Sequence, residues 1–422
     1  MKQDRIARKA AALAAAAAAL TAAALTVAAC GSSRAPSPEA PAAMPAAPDP
    51  ALARRVDAVI DGALAAQQLV GAVVLIARDG KLVYARAAGL ADREAKQAVR
   101  EDTLFRIASM TKPIVSVAAL ALIDRGKLSL DEPITKWLPD FRPKLADGRA
   151  PAITVRHLLT HTSGLGYGFL QPDGPYHKAG VSDGLAEPGM SADENLRRLA
   201  SVPLLEEPGA AWMYSLSVDV LGEVIARAAG APLPEVVQKR VTGPLGMTDT
   251  VFVVTDRARL AWPYAAGEPP VRMTEPYDLS MMGTTARLSP ARIFDPASFP
   301  SGGAGLAGTA RDYLRFAEAL RTGGAPILRP ETARALRENQ LGDREVSFLG
   351  PGSGFGFGVG VTVDPAAASS PRGRGAFGWG GVYGTGFWVD PEARLSVVVL
   401  TNVAGDTPFP AEVEQAIYAA EP

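Results

Sequence analysis

The strand signals of this chain sit at its two ends, and that distribution constrains the fold more than anything else in it. Near the start, Val73-Val74-Leu75-Ile76-Ala77 and Leu82-Val83-Tyr84-Ala85 flank Arg78-Asp79-Gly80-Lys81. An Asp-Gly between two β-rich runs is a strong hairpin signal. The next convincing strands come far downstream, over 355–363, 374–379, 385–389 and 395–401, and a closing helix is expected over 411–420. Between these ends the chain reads as helix and loop, with helices expected near 192–200, 217–229, 234–240, 310–322 and 330–339. The expected architecture is of the α/β (α+β) class: a sheet lobe from about 51–126 and 346–422, with a mostly helical lobe from about 127–345 inserted between. No internal repeat is apparent.

The folded part is expected to begin near Ala51, where Leu52, Val56, Val59, Ile60 and Leu64 form one apolar helical stripe. Residues 1–30 read as a targeting segment: Lys2, Arg5, Arg8 and Lys9 precede an Ala/Leu-rich run ending in Val27-Ala28-Ala29-Cys30. That ending resembles a bacterial lipobox, in which the cysteine is lipidated and becomes the mature N-terminus. Membrane attachment through lipid on Cys30 is therefore expected. With Gly31 next, the expected location is the periplasmic side of the outer membrane in a cell with two membranes. Residues 31–50, rich in Pro, Ala and Ser, read as a disordered tether. Cys30 is the only cysteine, which excludes an intrachain disulfide and a Cys-rich metal site. A formal net charge of −1 gives no electrostatic case for nucleic acid.

Ser109-Met110-Thr111-Lys112 opens a run whose apolar residues Ile114, Val115, Ala118, Leu120, Leu122 and Ile123 recur at helical spacing up to Gly126. Residues three apart on a helix lie about 5–6 Å apart at Cβ, so the Lys112 ammonium can reach the Ser109 hydroxyl. A serine needs such a neighbour before it can act as a nucleophile, and the helix N-terminus adds partial positive charge where an oxyanion would form. Taken alone, the pair also reads as a helix cap with an exposed lysine.

Gly180-Val181-Ser182-Asp183-Gly184 fits the G-x-S-x-G pattern, but that nucleophile elbow requires a later histidine. The three histidines, His157, His161 and His177, all precede Ser182, so Ser182 is assigned to a loop. His157 and His161 stand four apart but lack the glutamate of H-E-x-x-H, and both read as structural. A serine enzyme here needs Lys or Tyr as its base. Tyr214, in Trp212-Met213-Tyr214-Ser215-Leu216-Ser217, lies in a turn just ahead of a helix. Beside Lys112 its phenol could be held partly as phenolate and take the Ser109 proton. In Phe377-Gly378-Trp379-Gly380-Gly381-Val382-Tyr383-Gly384, Gly380 and Gly381 would let a ligand approach the strand, and the Val382 N–H could pair with that of Ser109 as an oxyanion hole.

Ser-Met-Thr-Lys, then Tyr-Ser-Leu, then Trp-Gly-Gly near the C-terminal strands resembles the serine β-lactamase and penicillin-binding protein superfamily. Leu158-Leu159-Thr160-His161-Thr162-Ser163-Gly164-Leu165 and Pro208-Gly209 with Trp212 resemble its class C branch. The resemblance implies an antiparallel sheet with helices on both faces, plus a helical lobe, the site lying between them. It implies that Ser109 is acylated, that Lys112 lowers the proton affinity of Ser109 and Tyr214, and that Tyr214 is the general base. Which of Lys112 and Tyr214 takes the proton stays open. Leu216 stands where β-lactamases have the Asn of Tyr-x-Asn, and Trp379 where they have the cation of Lys-Thr-Gly. Losing an amide partner and a cation disfavours a charged β-lactam more than a neutral ester. Tyr-Ser-x, Asp219-Val220-Leu221-Gly222 and Trp-Gly-Gly-Val-Tyr-Gly resemble the family VIII carboxylesterases. The expected function is cleavage of small neutral carboxylic esters through an acyl-enzyme on Ser109, with acyl transfer when an alcohol replaces water. Leu216, Trp379, Gly380 and Gly381 are the expected substrate contacts. Two other readings are a β-lactamase or D-Ala-D-Ala carboxypeptidase and a non-catalytic envelope binding protein. No metal, cofactor or obligate protein partner is implied.

Overall fold

The computed structural model describes residues 49–281, 283–347 and 349–420. The expected targeting segment, Cys30 and almost all of the expected tether lie outside them. The first helix, α1 (Pro50–Ala65), begins inside the expected tether because Asp49 caps it, its carboxylate accepting from the N–H groups of Ala51 and Leu52 at 3.2 and 3.0 Å.

The hairpin follows as β1 (Gly71–Arg78) and β2 (Lys81–Asp92). Its two turn residues, Asp79 at φ 53° and Gly80 at φ 76°, both take the left-handed conformation that a two-residue hairpin turn favours. The short β3 (Gln97–Ala98) edges the sheet on this side. From the other end of the chain come β10 (Ser353–Phe355), β11 (Gly360–Thr362), β12 (Phe377–Gly381), β13 (Thr385–Asp390) and β14 (Leu395–Thr401). Together they make one eight-stranded sheet in the order β10-β11-β12-β13-β14-β1-β2-β3. Every pairing in it is antiparallel, with β1 and β14 joining the two chain ends in the register Val74 to Val399.

Alternation along β1 and β14 sends side chains into two cores. Ala72, Val74, Ile76, Val397 and Val399 pack on the outer face with Leu52, Val56 and Ile60 of α1 and with Phe409, Val413 and Ile417 of the closing helix, α10 (Phe409–Tyr418). Val73, Leu75, Val398 and Leu400 face the larger inner core. That core is centred on α2 (Thr111–Ile123), whose residues 111–122 are all buried, as expected of a helix apolar on every side.

The helical part contains α3 (Val155–Leu159), α4 (Pro175–Lys178), α5 (Ala192–Ala200), α6 (Ser217–Ala229) and α7 (Leu233–Val237), followed by α8 (Ala310–Arg321) and α9 (Pro330–Leu336). Two helices fall on the other side of the expected division. Helix α2 packs against α6 and α7, and α8 lies on β1, β13 and β14, its Tyr313 and Phe316 rings against Phe387. Outside the main sheet lie further short strands that the sequence reading did not separate from loop. They are β4 (Phe105–Arg106) with β9 (Ala307–Gly308), β5 (Tyr264–Ala265) between β6 (Val271–Arg272) and β15 (Val403–Ala404), and the hairpin of β7 (Tyr277–Met281) and β8 (Thr284–Leu288).

Candidate active site

The β4–β9 pairing delivers the chain to a single 3-10 turn, Ala108–Met110, which runs straight into α2. Ala108 is held at φ 41°, a left-handed conformation for a residue that carries a Cβ. Beside this turn lies the end of β12. A Cβ on Gly381 would stand 2.4 Å from the Ile107 carbonyl oxygen, so only glycine lets the strand come this close. Val382 packs against the small apolar cluster that holds Ala108, and Val382 and Ser109 line the same cavity.

Three of the expected side chains meet at one oxygen. Lys112 Nζ donates to Ser109 Oγ at 3.1 Å, and the Tyr214 and Ser109 hydroxyls are hydrogen-bonded at 2.7 Å. The Lys112 ammonium also sits 4.7 Å from the Tyr214 ring centroid and 5.3 Å from that of Tyr167. Lys112 is 1% exposed, and Gly303 supplies its Nζ with a carbonyl acceptor at 2.9 Å.

Behind Gly303 lies Asp219, on the first turn of α6. Its Oδ1 accepts from Ser301 Oγ at 2.5 Å and from the Gly303 N–H at 3.2 Å. Burial pushes this carboxyl up, while Ser301 and the Lys112 charge pull it back. Neither Asp219 nor Tyr167 was given a role from the sequence. A charged residue between Val218 and Val220 on an apolar helix face was the available signal for Asp219; Tyr167 carried none.

Tyr214 is held from its own loop. The Met213 N–H donates to the His161 carbonyl at 2.8 Å, and His161 Nδ1 is hydrogen-bonded to Ser215 Oγ at 3.1 Å. The His161 ring lies 5.2 Å from that of Tyr214, and burial lowers its proton affinity far below the usual histidine range. His157 closes the start of α3, its N–H on Thr154 Oγ1 and its Nδ1 accepting the Thr154 N–H. Both are structural, as expected.

A cavity of about 680 Å³ opens at Ser109, lined by Tyr167, Phe169, Asp183, Leu185, Tyr214 and Met281, and by Trp379, Gly380, Gly381 and Val382 of the glycine-rich segment. Trp379 stands against Tyr214 and Phe355, with ring centroids at 5.6 and 5.3 Å. Leu216 differs from expectation. It is fully buried in the inner core and does not line the cavity, because its N–H bonds the Gly166 carbonyl at 3.1 Å as α6 begins. Ser182 is buried as well, its hydroxyl bonded to Glu187 and to the Gly184 N–H. Its neighbour Asp183 reaches the cavity, where its carboxylate accepts the N–H groups of Gly168 and Phe169 at 2.7 and 2.9 Å.

The Beta-lactamase family profile matches residues 56–421. Esterase EstB of Burkholderia gladioli is 50% identical over 377 residues, covering 87% of this chain and 95% of that one. Acyltransferase calJ of Penicillium decumbens is 30% identical over 368 residues, covering 77% of this chain and 82% of its own. Among solved structures, EstCE1, a hydrolase with promiscuous acyltransferase activity, superposes with a TM-score of 0.84 at 42% identity, covering 88% of this chain and 99% of that chain. In sequence and in fold alike, this chain belongs to the Beta-lactamase family.

Proposed function

We propose that the protein is a serine carboxylesterase acting on small neutral esters through an acyl-enzyme on Ser109. The observation that carries this reading is the convergence of Tyr214 and Lys112 on the Ser109 oxygen, at 2.7 and 3.1 Å, inside a cavity walled by Trp379. Ser109 Oγ adds to the ester carbonyl carbon as its proton passes to whichever neighbour is deprotonated, Tyr214 as phenolate or Lys112 as free amine. The carbonyl oxygen takes up the charge facing the N–H groups of Ser109 and Val382. The alcohol then leaves with the proton. Water adds to the acyl-enzyme along the same proton path, releasing the acid and restoring Ser109. An alcohol in place of water gives acyl transfer, which the names of calJ and EstCE1 support. Trp379 offers an apolar surface at the position where a β-lactamase has a cation, and an unpaired carboxylate against it costs about 1–3 kcal/mol or more.

The proposal extends to location: an exported lipoprotein held at the membrane through Cys30, supported by Val27-Ala28-Ala29-Cys30. Labelling by radioactive palmitate in cells, lost in Cys30→Ala, is the expected result; labelling that survives the substitution would remove it.

The experiment for activity is intact mass of the domain from residue 49, after mixing separately with p-nitrophenyl butyrate and with nitrocefin, while turnover is recorded. Fast ester turnover with little nitrocefin hydrolysis is expected, both absent in Ser109→Ala. Fast nitrocefin turnover would put the cell-wall reading first. Neither turnover nor an adduct would leave a binding protein.

A further inference from the structure

The cavity does not end at Trp379. Its lining continues along the β12–β13 ribbon through Gly380, Gly386 and Trp388 to Pro410, Ala411 and Glu414 of α10. Gly380 and Gly386 stand directly opposite each other across the two strands. Trp388 belongs to the outer core, whereas Trp379 and Phe387 belong to the inner one, so alternation places both glycines on the outer face of the sheet. Packing does not demand glycine at Gly386 and only tightens against a side chain at Gly380. A Cβ on Gly386 would meet only the Trp379 carbonyl oxygen, at 3.9 Å, and one on Gly380 only that of Thr385, at 3.3 Å. The result is a trough floored by bare peptide and walled by α10. At its far end stands Arg372, which lies 4.6 Å over the Trp388 ring and is paired in bidentate fashion with Glu414.

We propose that this trough is the acyl-chain site, taking the distal part of a long, linear, apolar acyl group whose carbonyl carbon is at Ser109. The inference rests on the esterase reading above and extends its substrates from small esters to those with a long acyl chain. The acyl side is assigned because the leaving oxygen must receive its proton near Tyr214, so the alcohol departs on that side. The carbonyl oxygen faces Val382, and the remaining substituent then runs along β12 past Gly380 into the trough. The Arg372–Glu414 pair at that end satisfies both charges and leaves no partner for a charged chain terminus.

The test compares kcat/KM for p-nitrophenyl butyrate, p-nitrophenyl decanoate, butyl acetate and decyl acetate in the wild type, Gly386→Leu and Ala411→Trp. Ala411 is exposed, so its substitution fills the trough without touching a core. Both variants are expected to lose about tenfold or more on the decanoate and to stay within about threefold on the other three esters. Equal losses on all four esters, or an unaffected decanoate, would overturn the proposal. A loss confined to decyl acetate would overturn it in favour of an alcohol channel. Calorimetric titration of sodium decanoate into Ser109→Ala, with and without Ala411→Trp, reads the trough without turnover: about tenfold weaker binding is expected, and unchanged binding would sink it. A wild type that cleaves none of the esters would fail the esterase reading instead.

Discussion

Lys112 and Asp219 are joined through a single residue, Gly303, whose carbonyl accepts from Lys112 Nζ at 2.9 Å and whose N–H donates to Asp219 Oδ1 at 3.2 Å. A Cβ at position 303 would fall 2.3 Å from Asp219 Oδ2 and 3.1 Å from the Tyr167 hydroxyl. Gly303→Ala therefore has to move the carbonyl that positions the ammonium. We expect kcat on p-nitrophenyl butyrate to fall about 10²-fold, the scale of a misplacement near 1 Å. An unchanged kcat would mean that Lys112 does not depend on this acceptor.

Tyr214→Phe removes one hydroxyl and keeps the ring that contacts Trp379 and Lys112. The expected loss in kcat is about 10²–10⁴-fold, typical of missing acid–base help, with the thermal midpoint almost unmoved. A drop of less than about tenfold would assign the proton transfer to Lys112 alone.

Ala108, at φ 41° and 1% exposed, carries two opposing terms. Ala108→Gly relieves a left-handed strain of roughly 1 kcal/mol but gives the unfolded chain about 0.5–1 kcal/mol of extra freedom. The two nearly cancel, so we expect a thermal midpoint close to wild type and retained activity. Ala108→Val adds a β-branched side chain to the same backbone and should lose both stability and turnover. Equal behaviour of the two variants in calorimetry and ester assays would show that the conformation stores no strain.

The Asp183 carboxyl is pushed up to about 7, chiefly by burial, with Glu187 and Asp219 adding to the effect and the Gly168 and Phe169 N–H groups opposing it. A carboxyl whose folded value exceeds its unfolded one, near 3.9, binds its proton more tightly in the folded state. Its contribution is therefore most favourable below about pH 4 and turns against the fold as pH rises to about 7. Asp183→Asn should flatten the thermal midpoint over that window relative to wild type. Parallel curves from pH 4 to 8 would show that Asp183 does not titrate there.

Local chemistry made part of this structure legible in advance. The Asp79-Gly80 turn falls where its turn residues place it, and the helices Ala192–Ala200 and Ser217–Ala229 fall over the expected ranges, the first capped by Ser191, whose hydroxyl accepts the Glu194 N–H. The β7–β8 hairpin lies within the stretch that reads as helix and loop, although Tyr277, Leu279 and Met281 alternate ahead of Gly283. Ser109, Lys112 and Tyr214 were found because their chemistry is tied to motif spacing. The roles of Asp183, Gly303 and Tyr167 arise only when distant loops meet, and no local pattern announces them. Leu216 was misread for a related reason. Motif position places it at the substrate, but whether a side chain at a helix start turns outward or inward depends on what its main chain bonds.

The sheet closes through contacts such as the Gly71 N–H on Asn402 Oδ1, 3.0 Å long and spanning 331 positions of sequence. Such long-range pairing folds slowly. It also means that a nascent or truncated chain can carry Ser109, Lys112 and Tyr214 while β1 still lacks its neighbour and the Val382 amide has not yet been made. On the esterase reading, a prematurely ended chain would hold the nucleophile and its own N–H but not the Val382 half of the oxyanion site.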